Sequence, residues 1–178
     1  MSPDVSLRRA VWLDIETIMA IERRPGFEDF VARSTFAEHE AMLASHQYLY
    51  FVGAVETGVA VAFAILRDLE DPHGNLYLKR IAVREPGLGV GVAFLRGLVD
   101  WVFRDTKAHR FWLSCFSSNL RARRAYEKLG FTQEGLLREA YLAPDGGRLD
   151  LTMMALLRTK WDSQASSRLD ASSGRPHP

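Results

Sequence analysis

Three glycines at alternate positions, Gly87, Gly89 and Gly91, stand directly ahead of an apolar, helix-like run in "REPGLGVGVAF". Glycine lets the backbone come close to a ligand, and the unpaired N–H groups that begin a helix favour anions, so this turn can serve a pyrophosphate. The same glycines can instead do no more than tighten a strand-to-helix turn and seat the helix closely. Two nucleotide fingerprints fail on spacing. A dinucleotide motif needs G-x-G-x-x-G after the first strand of a βαβ unit, and here the third glycine comes one place early and follows antiparallel strands. A P-loop ends in Gly-Lys-Ser/Thr, whereas this turn continues Gly91-Val92-Ala93.

A second cluster lies in "NLRARRAYEKLGF". Asn119 opens a helix, where it suits the N-cap, and Ala122, Ala125, Tyr126 and Leu129 fall along one face before the Gly130-Phe131 stop. A tyrosine on such a face is commonly a core residue with a satisfied hydroxyl. Arg121, Arg123 and Arg124 read as a solvated face that could also meet a phosphate. Cys115, two places from Leu113 in a strand, reads as a small buried hydrophobe, since no motif sets a histidine beside it.

The elements that must position these residues follow from periodicity. "WLDIETIMAIERR" places Trp12, Ile15, Met19 and Glu22 on one helical stripe with Ile18 beside it, ended by Pro25-Gly26. Thr35 and Glu38 form a capping-box pattern ahead of a second helix. "YLYFVGAV", "VAVAFAILRDLE" and "LYLKRIAV" are strands joined by short turns, an antiparallel meander. "GVAFLRGLVDWVFRD" is a helix apolar enough to be buried against a sheet, and the strand "RFWLSCF" after it should lie parallel to the strand before it. "FTQEGLLREAYL" and "RLDLTMMALLR" close the chain as a hairpin. The fold class is mixed α/β.

Composition sets the remaining bounds. The 178 residues suit one domain, over 1–161, with 162–178 a disordered tail rich in Ser, Gly and Pro. Lys and Arg number 23 against 22 Asp and Glu, so no nucleic-acid partner is expected. The five histidines nowhere pair at metal-ligand spacing, so no metal is expected. The single cysteine excludes an internal disulfide, and no apolar run is long enough for a signal peptide or a membrane span, which points to a soluble cytoplasmic protein.

Taken together, "KRIAVREPGLGVGVAFL" and "SSNLRARRAYEKLGF" resemble the two main motifs of the GNAT superfamily of acyl-CoA-dependent N-acyltransferases, in order and separation, and the resemblance covers about residues 5 to 161. The ending "LLREAYLAPDGGRLDLTMMALL" is similar to the branch containing ribosomal-protein N-terminal and polyamine acetyltransferases. The resemblance implies a GNAT-type mixed sheet, with antiparallel N-terminal strands, a parallel strand pair around the coenzyme A site and flanking helices. It implies acetyl-CoA as co-substrate, a primary amine as acceptor, and a homodimer as one assembly the family allows. Pantetheine would bond Ile81, Ala82 and Val83, and pyrophosphate the amides of Leu88, Gly89, Val90, Gly91 and Val92. Asn119, Arg121 and Arg124 would complete the coenzyme site, and Tyr126 would protonate the departing sulfur. Pro86 stands where the family usually has a basic residue, and the turn is two residues short, which leaves Arg84 as a helper for the pyrophosphate.

Only a neutral amine attacks a thioester, so a proton must leave. Where many members carry a glutamate at the start of the strand before the glycine turn, this chain has Tyr77. Glu22 and Glu139 are the candidate bases in its stead. An α-amine, with a reference pKa of about 7.7 to 8.0, needs little base, whereas a lysine-like amine near about 10.4 needs much more, which tilts the reading toward an α-amine. The alternative is a module that binds acyl-CoA without turning it over, as a sensor or partner domain.

Overall fold

The computed structural model describes residues 4–28, 30–55 and 58–173. Its centre is a seven-stranded sheet in the order β1-β2-β3-β4-β5-β7-β6. The strands are β1 (Ser6–Arg9), β2 (Tyr48–Ala54), β3 (Ala60–Arg67), β4 (Asn75–Val83), β5 (Arg110–Phe116), β6 (Thr132–Leu142) and β7 (Arg148–Leu157). The helices are α1 (Ile15–Glu22), α2 (Phe36–Ala44), α3 (Val90–Asp105), α4 (Leu120–Lys128) and α5 (Arg158–Ser173). The β1–β4 pairs are antiparallel, β4 and β5 are parallel, and the β6–β7 hairpin closes the far edge. The expected meander, crossover and hairpin are all present. β1, whose four residues carry little apolar signal, escapes the periodicity argument.

One apolar cluster fills each face of the sheet. On one, Phe94, Leu98 and Val102 of α3 pack on Ala62, Ala64, Leu76 and Leu113. On the other, Ile18 and Ile21 of α1 pack on Val52, Phe63 and Ile65. The buried stripe of the first helix is therefore Ile15, Ile18, Ile21 and Glu22, and not the stripe through Trp12 and Met19. Trp12 sits in a preceding 3-10 turn, 54% exposed, and packs edge-on against Phe36. The capping box forms as expected: Glu38 N–H donates to the Thr35 hydroxyl, and Thr35 N–H donates to the Glu38 carboxylate.

Residues 162–173 are helical, a correction to the disordered tail expected from composition; 174–178 lie outside the described residues. The helix is anchored at its start. Arg158 donates to the carbonyls of Phe103, Thr106 and Ala108 at the end of α3. Buried Trp161 packs against Phe103 and donates from Nε1 to Asp100.

One charged cluster is built into the core. Glu22 is fully buried and takes Arg80 of β4 as an ion-pair partner. It also lies 3.1 Å from His39 Nε2, accepts from Ser34 N–H, and His39 Nδ1 in turn meets the Tyr50 hydroxyl. Burial by itself would raise the Glu22 carboxyl, but the hydrogen bond to His39 and the charges of Arg80 and His39 outweigh it and hold the group below the usual carboxylate range. A carboxyl whose folded pKa is depressed binds fewer protons folded than unfolded, so its stabilisation is present above the unfolded value and lost as pH falls through the folded one. Glu22→Gln should cost about 3–5 kcal/mol at neutral pH, because Arg80 then keeps a buried charge without its counter-ion. Urea melts should also show a shallower loss of stability in acid for Glu22→Gln than for the parent protein.

Candidate functional site

The parallel pairing of β4 with β5 ends at Leu78 opposite Leu113. Just beyond it β4 carries a bulge: Ile65 of β3 faces Arg80 and Leu66 faces Leu78, so Lys79 is the extra residue. Bulges bend a strand and increase its twist. From this point β4 keeps β3 as a neighbour and parts from β5, and the gap opens into a cleft of about 710 Å³. Ile81, Ala82 and Val83 line one wall; Ser114, Cys115 and Phe116 line the other. The amide and carbonyl groups on this side of β4 have no strand to pair with, so a ligand with amides of its own can complete the ladder.

The glycine turn closes one end of the cleft. Gly87 and Gly89 have φ of +97° and +78°, a conformation that explains their identity at these two positions. Gly91 belongs instead to the first turn of α3, where an added Cβ would lie 3.3 Å from Val83 Cγ1. Both readings of the glycines therefore hold, at different residues: two shape the turn, and the third seats the helix. The first intrahelical bond of α3 runs from Ala93 N–H to Gly89 O. The N–H groups of Val90, Gly91 and Val92 thus lack an intrahelical acceptor and form an anion-binding end. Gly87, Gly89, Gly91 and Val92 line the cleft, whereas Leu88 is 63% exposed and Val90 is buried beneath the turn. Arg84, Leu88, Arg23 and Arg24 border a separate depression on the outer side of the turn.

Helix α4 supplies the wall opposite the turn. Asn119 caps it, accepting from Ala122 N–H at 3.1 Å, and lines the cleft as well. Of the three arginines, Arg123 is tied to Ser117 O and Gln133, while Arg121 and Arg124 line the cleft. Tyr126 is 7% exposed, packs against Phe131 at a centroid separation of 5.8 Å, and lines the cleft beside Cys115. Burial raises its phenol well above the ordinary value, so it stays protonated. Burial likewise pushes the Cys115 thiol up to about 11, with only Arg123 pulling it down. That thiol is protonated at neutral pH, which makes it a poor nucleophile.

Neither carboxylate singled out from the sequence stands in the cleft. Glu22 lies behind the wall, committed to Arg80 and His39. Glu139 sits in a bulge where residues 138–140 of β6 oppose Asp150 alone, with φ +53° and its N–H bonded to the Asp150 carboxylate. The bulge throws Glu139 outward and lets Tyr141 line the cleft instead. Tyr77 lines the cleft, with its hydroxyl 3.3 Å from Ser114 Oγ and its ring stacked on Trp112. Lys79, Arg80, Phe30 and Phe116, none of them a candidate from sequence, also line the cleft. Arg80 did leave a signal: it is a charge on the core-facing register of a strand, just as Glu22 is a charge on an apolar helix stripe. Among the described residues no group of three His, Cys, Asp or Glu could hold a metal ion, and no helix is long and apolar enough to cross a membrane.

Comparison with known proteins gives this geometry its family. The model of the acetyltransferase (GNAT) family matches residues 15–131. The chain is 31% identical over 93 residues to a spermine/spermidine N(1)-acetyltransferase of Bacillus subtilis, covering 48% of this chain and 61% of that protein. It is 30% identical over 101 residues to a [ribosomal protein bS18]-alanine N-acetyltransferase of Haemophilus influenzae, covering 57% and 67%. It is also 35% identical over 79 residues to a kanamycin resistance protein of Rhizobium radiobacter, covering 43% and 69%. Among solved structures, a spermidine N-acetyltransferase mutant from Vibrio cholerae superposes with a TM-score of 0.79 at 19% identity, over 90% of this chain and 98% of that one. The ribosomal-protein-S18-alanine N-acetyltransferase of Escherichia coli superposes with a TM-score of 0.71 at 26% identity, over 86% and 94%. The chain belongs to the GNAT family of acetyltransferases, enzymes that use acetyl-CoA as co-substrate.

Proposed function

We propose that the chain passes the acetyl group of acetyl-CoA directly to a primary amine of low pKa, with both substrates held in the one cleft. The observation that carries this reading is the convergence, in a single cavity, of an unpaired strand edge at Ile81–Val83, an anion-binding helix end at Val90–Val92, and the protonated phenol of Tyr126. Pantetheine amides continue the β4 ladder, the pyrophosphate takes the α3 amides, and Arg121 or Arg124 meets the remaining phosphate. The thioester then lies between the parted strands. The amine lone pair attacks its carbonyl carbon, the carbon–sulfur bond breaks, the sulfur takes the proton of the Tyr126 hydroxyl, and the proton that the nitrogen releases on becoming an amide returns through water to the phenolate.

The amine must first shed its own proton. With Glu22 locked in its ion pair and Glu139 outside the cleft, that proton leaves through water, past Tyr77 and Ser114. A route without a strong base suits an amine that is partly neutral already, such as a peptide α-amine with a pKa of about 7.7 to 8.0. The protonated Cys115 thiol favours direct transfer over an acyl-enzyme. A module that binds acyl-CoA without turnover has no comparable use for a buried, protonated tyrosine on the wall of the cleft.

Tyr126→Phe removes only the hydroxyl, so acetyl-CoA affinity measured by calorimetry should hold while kcat falls about 100-fold, the lower range for general acid catalysis. An unchanged kcat, where chemistry limits the rate, would return Tyr126 to a packing role. Cys115→Ala should retain turnover in a free-CoA assay; its loss, with the fold intact, would restore a covalent route. Gly89→Ala places a side chain at φ +78°, at a cost of about 1–2 kcal/mol, and tilts the Val90 amide. It should weaken acetyl-CoA binding beyond the loss of stability read from its melting curve.

A further inference from the structure

The cleft has a second half that the acetyl donor does not use. The glycine turn, Asn119 and Tyr126 stand on the α3–α4 side of the sheet. Arg80 faces the α1–α2 side, where it pairs with Glu22 and donates to the Ser34 hydroxyl. There the wall of the cleft is aromatic. Phe30, from the α1–α2 connection, meets Phe116 of β5 at a centroid separation of 6.4 Å, and Phe116 meets Tyr141 of β6 edge-on at 4.8 Å.

The charges on this half are cationic. Lys79, the bulged residue of β4, is half-buried and makes no ion pair among the described residues. Arg80 shares Glu22 with Arg23, at 3.6 Å, and with His39, so one carboxylate stands against two guanidinium groups. Arg80 is 9% exposed, and its Nε–H is buried with no acceptor among the described residues. A buried donor without a partner is costly, and an anionic ligand group relieves that cost. No Asp or Glu lines the cleft among the described residues. Polycations such as spermidine would meet Lys79 and Arg80 as like charges, with no carboxylate there to offset the repulsion.

We infer that the acceptor is a primary amine on a small molecule that also carries a carboxylate and a large apolar group, as a short apolar peptide does. Lys79 and Arg80 take the carboxylate, and Phe30, Phe116 and Tyr141 take the apolar group. The inference rests on the acetyltransferase reading of the cleft and adds the acceptor's class. It separates this chain from the relative named for the acetylation of spermine and spermidine, which are polyamines.

The test is calorimetric titration of the CoA-saturated protein with the dipeptide Phe-Gly, with the same dipeptide as its C-terminal amide, and with spermidine. The two dipeptides share one kind of α-amine and differ only in the carboxylate. Phe-Gly should bind at least about tenfold more tightly than its amide, about 1.4 kcal/mol, with spermidine weakest. Lys79→Gln should narrow the gap between acid and amide while leaving CoA affinity unchanged, and Phe30→Ala should weaken acid and amide alike. Equal binding of acid and amide by the parent protein, or tighter binding of spermidine, would overturn the inference and leave the acetyltransferase reading standing. A folded protein that fails to bind CoA at all would overturn both.

Discussion

Beyond Leu78, β4 has a hydrogen-bonding neighbour on one side only, and most of the site hangs on that fact. A buried strand edge carries obligatory donors and acceptors, and leaving them unpaired is costly unless a ligand or water takes them. The bulge at Lys79 parts the strands without breaking the sheet, since β5 pairs on with β7 through Phe116. The cleft thus gets a wall with unpaired backbone groups at Ile81–Val83 and a continuous sheet beside it. The same kink directs Leu78 to the α3 cluster and Arg80 to the opposite face, so one irregular residue assigns neighbouring side chains to the two halves of the site.

The two halves are stiffened by different means. On the α3–α4 side the support is apolar packing: Tyr126 is wedged against Phe131, and Phe131 against Phe111. On the α1–α2 side it is the ion pair of Glu22 with Arg80, extended through His39 to Tyr50. A buried pair is a poor source of net stability and a strong constraint on geometry, because removing one member strands the other. Here it fixes α1, the segment before α2 and β4 in one arrangement, and so sets the shape of this wall of the cleft. A carboxylate held in this way is a structural anion. Its commitment to Arg80 and His39 is what counts against Glu22 as the base.

Much of this was legible from residue pattern. The apolar period of 90–105, the turn-bounded strand runs at 60–67 and 76–83, and the caps at Thr35 and Asn119 each rest on local chemistry that tertiary structure did not override. The glycine turn and the α4 cap that border the cleft were legible for the same reason, since Gly87, Gly89 and Asn119 announce turns and helix starts. What escaped depends on contacts far apart in the chain. Glu22 meets Arg80 across 58 residues, and nothing local says that two charges on apolar faces will find each other. Glu139, a candidate base for want of a glutamate at Tyr77, is turned away from the cleft by the bulge opposite Asp150, which no local pattern announces. The helix over 162–173 was missed because its composition is polar; its anchor, Trp161 and Arg158, lies just upstream of the segment judged on composition.

The division of the cleft into a donor half and an acceptor half rests on where coenzyme A lies. A crystal structure of the protein with CoA should place the pantetheine beside Ile81–Val83, the pyrophosphate on the amides of Val90–Val92, and the thiol sulfur within hydrogen-bonding reach of the Tyr126 hydroxyl. A coenzyme bound at the outer depression by Arg84, or one whose sulfur lies remote from Tyr126, would contradict it.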